Sequence, residues 1–179
     1  MYREPITEEM AKVAAKWWRN AVAEGEWDNG DAFHNAFFSI MGSGLRENNP
    51  EILDRFEKEL SELILEEQPF YLSVDYHPDQ ILYNAAERAG FKSIDFAFPC
   101  KSHMAFRNGC VTAKIGYGAE HKYIYGLENA QKKWDDDHYR WVNDQEFRNQ
   151  YLGESEYYSE YREMNPEESF VKLFSQRPR

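Results

Sequence analysis

A chain of 179 residues, 42% of them hydrophobic and 16% aromatic, carries enough apolar material for one compact domain, which excludes wholesale disorder. Its 32 Asp and Glu against 21 Lys and Arg leave a formal net charge of −11, a balance that keeps a surface soluble and also suits docking onto a basic, nucleic-acid-binding partner. Apolar runs of only a few residues exclude a membrane span, no apolar stretch follows Arg3, and two cysteines make no disulfide framework, so a soluble cytoplasmic protein is expected.

Thr7 caps a helix over Glu8 to about Glu24. Glu8 and Glu9 sit in its first turn, and Met10, Val13, Ala14, Trp17, Ala21 and Val22 recur at helical spacing. Adjacent Trp17 and Trp18 lie about 100° apart on such a helix, so at least one must meet a second element. Trp27 to Asp31 reads as a turn capping a short helix over residues 32–41. The loop after it ends at Pro50, which opens a third helix behind Asn49 with a stripe of Ile52, Leu53, Phe56, Leu60, Leu63 and Ile64.

Phe70 to Tyr76 reads as a strand. Pro78 starts a helix with Ile81, Leu82, Ala85 and Ala89 on one side and Gly90 as C-cap. Two alternating runs then flank Asn108-Gly109, the turn dipeptide of a two-residue hairpin, and His121 to Gly126 supplies a further strand. In the tail, Trp134, His138 and Trp141 fall at i, i+4 and i+7, and Asn165-Pro166 begins a last helix with Phe170, Val171 and Phe174. The fold class expected is α+β: N-terminal helices packed on a small antiparallel β-sheet, with a helical acidic C-terminal segment, all in a single domain over 1–179 with parts 1–69, 70–126 and 127–179.

Charge is unevenly distributed among those parts. Residues 1–69 hold 7 Lys and Arg against 15 Asp and Glu, residues 127–179 hold 8 against 12, but residues 70–126 hold 6 against 5. Within the middle part, Lys101 to Lys114 contains three basic residues and no acid. A two-residue turn pairs Arg107 with Cys110, Phe106 with Val111, Ala105 with Thr112, Met104 with Ala113, His103 with Lys114 and Ser102 with Ile115. Alternation then puts Met104, Phe106, Val111, Ala113 and Ile115 on the core face, and Lys101, His103, Arg107, Thr112 and Lys114 on the other. Cys100 falls on the core face and Cys110 on the opposite one, so the two should not bond.

Such a stripe has a plain reading, since Lys and Arg on a solvated strand discourage edge-to-edge aggregation. Its functional reading is an anion site. Lys101, Arg107 and Lys114 around His103 suit a phosphate, with Lys122 and His121 of the next strand as further nucleic-acid contacts. A histidine beside lysine can act as general acid or base while the ammonium stabilises a phosphorane, which is the equipment for metal-free RNA cleavage by the substrate's own 2′-hydroxyl. The catalytic set expected is His103, Lys101 and Lys114, with no metal and no cofactor. Asp75, His77 and Asp79 could ligate a metal, but a strand-to-helix junction uses such residues for capping. Asp135 to His138 reads as an exposed acidic turn, and Gly116 to Glu120 as a bulge or tight bend. GxSxG, P-loop, CxxC and HExxH motifs are all missing.

AAKWWRNAV, DNGD, VDYHPDQIL, FPCK and NGCVTAKIGYGAE, in that order over roughly residues 10–126, resemble small acidic proteins encoded by phages and prophages of Gram-positive bacteria. Proteins of that kind include type II anti-CRISPR proteins, a subset of which truncate the guide RNA. Related sequences carry an aromatic residue where this chain has Cys100. The resemblance implies a partner, an RNA-guided effector nuclease with its guide RNA, met in the cytoplasm of a bacterial host. Two readings stay open at this point: an enzyme that cleaves the guide RNA, or a non-enzymatic inhibitor whose acidic faces block the effector's basic nucleic-acid channel.

Overall fold

A computed structural model describes residues 4–24, 47–116, 118–153, 156–174 and 178. The turn and short helix expected over residues 27–41 lie outside them. Among the described residues, eight helices accompany one four-stranded antiparallel sheet, so the fold is α+β. The chain divides into two compact units, residues 1–126 and 127–179.

In the first unit, α1 (Glu8–Glu24) begins where Thr7 Oγ1 accepts the Met10 N–H at 3.3 Å. It buries Met10, Ala14, Trp18 and Val22. Trp18 is the tryptophan that meets a second element: its ring lies edge-on to Trp17 at 4.9 Å and reaches Phe98 at 6.0 Å. α2 (Pro50–Glu67) starts behind Asn49, whose side chain accepts the Glu51 N–H at 3.0 Å. Its buried residues Leu53, Phe56, Leu60, Leu63 and Ile64 pack between α1 and α3 (Gln80–Ala89). Pro78 stands before the cap of α3 and bridges back to Val74; Asp79 is the cap, accepting the Leu82 N–H at 3.1 Å. Gly90, at φ +91°, closes α3 in the left-handed conformation that glycine adopts without strain. A short helix, α4 (Ile94–Ala97), follows.

The sheet runs β1-β2-β3-β4 with every neighbour antiparallel: β1 (Tyr71–Val74), β2 (Ser102–Arg107), β3 (Cys110–Ile115) and β4 (Lys122–Tyr125). Asn108 and Gly109 take φ of +51° and +69°, the doubly positive pattern of a type I′ turn. The β2–β3 register is the expected one, from Arg107 opposite Cys110 to Ser102 opposite Ile115. Met104, Phe106, Val111 and Ala113 are buried and join Leu72, Val74 and the helices in one core. Each large side chain buried there contributes about 1.5–3 kcal/mol by leaving water. Between β3 and β4 the ladder shifts. Tyr125 pairs with Val111, Tyr123 with Thr112 and Lys122 with Ala113, so Ile124 is the extra residue of a bulge.

Cys100, expected on the core face, is instead partly exposed in the turn before β2, where its thiol donates to the Asp75 carbonyl at 2.9 Å. The reason is Lys101, whose φ of +60° breaks strand alternation just ahead of Ser102. Cys110 does lie on the opposite face but is buried, with its thiol 3.2 Å from the Gly126 carbonyl.

The second unit is helical: α5 (Leu127–Asn143), α6 (Gln145–Leu152), a 3₁₀ turn (Glu156–Tyr158), α7 (Ser159–Glu163) and α8 (Pro166–Phe174). Its small core is Trp141, Leu152 and Phe170, with the Trp141 indole N–H donating to Ser169 Oγ at 2.9 Å. Asp135 to His138, read as a turn, lies inside α5. Two features hold it helical: the Trp134, His138, Trp141 stripe, whose first two rings stack at 5.2 Å, and an i,i+4 pair of Lys133 with Asp137 at 2.8 Å. In α8, Phe170 is buried but Val171 is 52% exposed. Among the described residues no helix is long and apolar enough to cross a membrane.

Candidate active site on the outer sheet face

None of the four strands contains an Asp or Glu, in a chain with 32 of them. The face of the sheet turned away from the core carries Tyr71 on β1, His103 and Arg107 on β2, and Cys110, Thr112 and Lys114 on β3. His103 sits directly opposite Lys114. On β4 the bulge decides the faces. Because Ile124 is extra, Tyr123 falls opposite Thr112 on this outer face while Tyr125, two residues on, turns toward the core side. There Tyr125 donates its hydroxyl proton to Glu9 Oε2 of α1 at 3.0 Å.

His121, one turn of alternation before Tyr123, therefore joins His103. The two imidazole rings meet edge to face with centroids 5.0 Å apart. His121 Nδ1 lies 3.1 Å from Thr112 Oγ1, which leaves Nε2 as the nitrogen a ligand can reach. His103 stacks on the Tyr71 ring at 5.6 Å with the planes 20° apart. Its Nδ1 is buried and, among the described residues, has no hydrogen-bond partner, so a ligand reaching this ring meets Nε2.

The electrostatics follow from the absent carboxylates. Burial first, then the charges of Lys114 and Arg107, hold the His103 imidazole below the usual histidine range. His121 is lowered by burial, then by His103, Lys114 and Arg107. Both rings are thus biased toward the neutral, proton-accepting form at neutral pH. An anion bound between them and Lys114 would oppose that bias and favour protonation of one ring. Two imidazoles, an ammonium and a guanidinium can therefore hold a phosphate and pass protons on either side of it.

Two of the residues expected here lie elsewhere. Lys101 forms an ion pair with Asp75, and its ammonium stands 3.9 Å from the Tyr76 ring centroid. Its left-handed backbone takes it out of the strand, so it does not continue the stripe. Lys122 is exposed but lies opposite Ala113, on the other side of the sheet from the histidines. Arg107 and Lys114 remain on the outer face, the first exposed and the second half-buried.

Asp75, His77 and Asp79 each serve a different partner: Lys101, Asp95 at 3.3 Å, and the Ser73 and Leu82 N–H groups at 2.6 and 3.1 Å. Burial raises the Asp79 carboxyl above the usual range, against the pull of those backbone donors. Gly116 and Gly118, with φ of +94° and +71°, belong to the bend between β3 and β4 and bring β4 back alongside. Tyr71 was missed in the sequence, because the pairing of β1 with β2 spans a helical crossover that no local pattern reports. No protein-family model matches this chain, and neither a curated protein nor a solved structure matches it.

Proposed function

We propose that the outer sheet face binds RNA and cleaves it without a metal ion, by intramolecular transfer of the phosphodiester to the 2′-oxygen. One imidazole takes the 2′-hydroxyl proton as the 2′-oxygen bonds to phosphorus. The other, as imidazolium, gives a proton to the 5′-oxygen as the phosphorus–oxygen bond breaks. The products are a 2′,3′-cyclic phosphate and a free 5′-hydroxyl, with no change in oxidation state. Lys114 and Arg107 stabilise the charge that gathers on the phosphorane oxygens. The observation that carries this reading is the contact of His103 with His121, 5.0 Å between ring centroids, on a strand face without carboxylates. By its likeness to phage proteins, we take the RNA to be the guide of a type II RNA-guided nuclease, and the protein to be a phage-encoded antagonist of that effector.

The binder alternative has less support, because the acidic helices spend part of their charge internally. Arg19 reaches Asp54 at 2.8 Å and Glu57 at 3.4 Å, Lys12 reaches Glu8 at 2.5 Å, and Arg88 reaches Glu59 at 3.7 Å. Incubating the protein with a guide-loaded effector in EDTA and resolving the RNA on a denaturing gel separates the readings. Shortened RNA ending in a 2′,3′-cyclic phosphate is the expected result. Intact RNA with lost DNA cleavage would replace the enzyme by the binder, and intact RNA with full DNA cleavage would end both.

A further inference from the structure

The geometry points to a single-stranded RNA substrate, one of whose bases stacks on Tyr71, an inference that rests on the RNA-cleaving reading above. Tyr71 lies on β1, the edge of the sheet, and is 57% exposed. Its ring stacks on His103, at 5.6 Å with the planes 20° apart, while more than half of the residue stays open to solvent. An exposed, pre-ordered aromatic face beside a cationic stripe is the arrangement by which sheet surfaces capture unpaired bases. Lys114 and Thr112 stand on β3, two strands and about 10 Å away. That is close enough for a base on Tyr71 and a neighbouring phosphate at Lys114 to be held by one stretch of chain, with the His103 ring between them and the His121 ring in contact with it.

Duplex RNA cannot use this surface. Its bases present edges and not faces, and its helix holds the 2′-hydroxyl away from the line of attack on its own phosphate. The Tyr71 hydroxyl has no part in the stacking, so phenylalanine should serve as well as tyrosine.

The test is equilibrium binding of a fluorescent 12-nucleotide RNA (a length of about one such site) with 2′-O-methyl sugars, which cannot be cleaved. We expect the single strand to bind at least tenfold more tightly than the same strand annealed to its complement. Tyr71→Ala should weaken single-strand binding by about 5- to 150-fold, the range for losing one stacked base, while Tyr71→Phe binds as the wild type does. The far-ultraviolet circular dichroism of Tyr71→Ala serves as the folding check; if that variant is unfolded, the Tyr71→Phe and duplex comparisons carry the test. Equal binding of duplex and single strand, or a folded Tyr71→Ala that binds normally, would overturn the inference. Tyr71-dependent binding together with a cleavable strand that stays intact would leave the stacking of single-stranded RNA on Tyr71 standing and overturn the cleavage reading alone.

Discussion

Four described histidines fall into two opposite settings. His77 lies 3.3 Å from Asp95, and in the second unit His138 lies 3.3 Å from Glu167. His103 and His121 have each other, Lys114 and Arg107 instead. In a chain of net charge −11 a carboxylate neighbour is the default for a histidine, and the first pair conforms. The second pair departs because its four strands hold no acid at all. A histidine with a carboxylate has its counterion built in. One among cations has none beside it, and in the proposed function a phosphate takes that place. The contrast separates imidazoles that sit beside a carboxylate from imidazoles whose charged neighbours are Lys114 and Arg107.

The strongest way to break this comparison is to remove the rings one at a time. His103→Ala or His121→Ala should lower single-turnover RNA cleavage by roughly 10²–10⁴-fold, the usual range for a general acid or base. His138→Ala should leave it unchanged. Equal effects at all three positions would mean that the settings do not differ in function.

The comparison sharpens when the two faces of the hairpin are set against each other. Phe106 is 2% exposed, so Phe106→Ala should cost about 3–5 kcal/mol in urea unfolding by emptying part of the core. Lys114→Ala, on the outer face, should leave the unfolding midpoint nearly in place. Its effect should appear in RNA binding, as a salt dependence shallower by about 0.7 in log–log slope, the amount expected for one lost phosphate contact on a single strand. A Lys114→Ala protein with an unaltered slope would remove this residue from the interface.

The smallest effect is a pH dependence. Both sheet histidines are held below their ordinary range in the folded protein. Between that lowered value and the unfolded value near 6.5, the unfolded chain binds more protons, so stability is fully present above pH 6.5 and declines as pH falls through the folded value. Replacing both by glutamine should flatten the urea midpoint below pH 6.5 relative to the wild type. A midpoint that falls just as steeply without them would show that the loss on acidification comes from other groups.

The hairpin was legible because Asn108-Gly109 sets the turn and strict alternation sets the faces, so one residue of register was never in doubt. His103, Arg107 and Lys114 follow from that alone. The helices behind Asn49-Pro50 and Pro78 were legible for a similar reason: a start signal and an apolar stripe agree, whereas those at Ile94–Ala97, Gln145–Leu152 and Ser159–Glu163 are too short to show a stripe. What alternation could not report was its own interruption. A lysine at φ +60° looks like any strand lysine in a sequence, and so Lys101 was counted in a stripe that it leaves. A bulge at Ile124 has no glycine to announce it, so the sequence does not say which of His121 and Lys122 joins the outer face; expected together as nucleic-acid contacts, these neighbours point to opposite sides. Asp135 to His138 failed differently: its run of carboxylates suggested a solvated turn, while the Trp134 to Trp141 stripe beneath it was the stronger signal.

The bulge has a consequence for how this surface would vary among relatives of the chain. With Tyr125 tied to α1 and Tyr123 set opposite Thr112, the facing of His121 depends on how many residues separate it from them. One residue inserted after Lys122 would alter no existing side chain, yet it would turn His121 away from His103 and bring Lys122 round in its place. Two sequences could then agree at every named position of the site and still differ in whether the site exists. In this strand, spacing decides the facing of the site as much as residue identity does, and an alignment gap there should be read as carefully as a lost histidine.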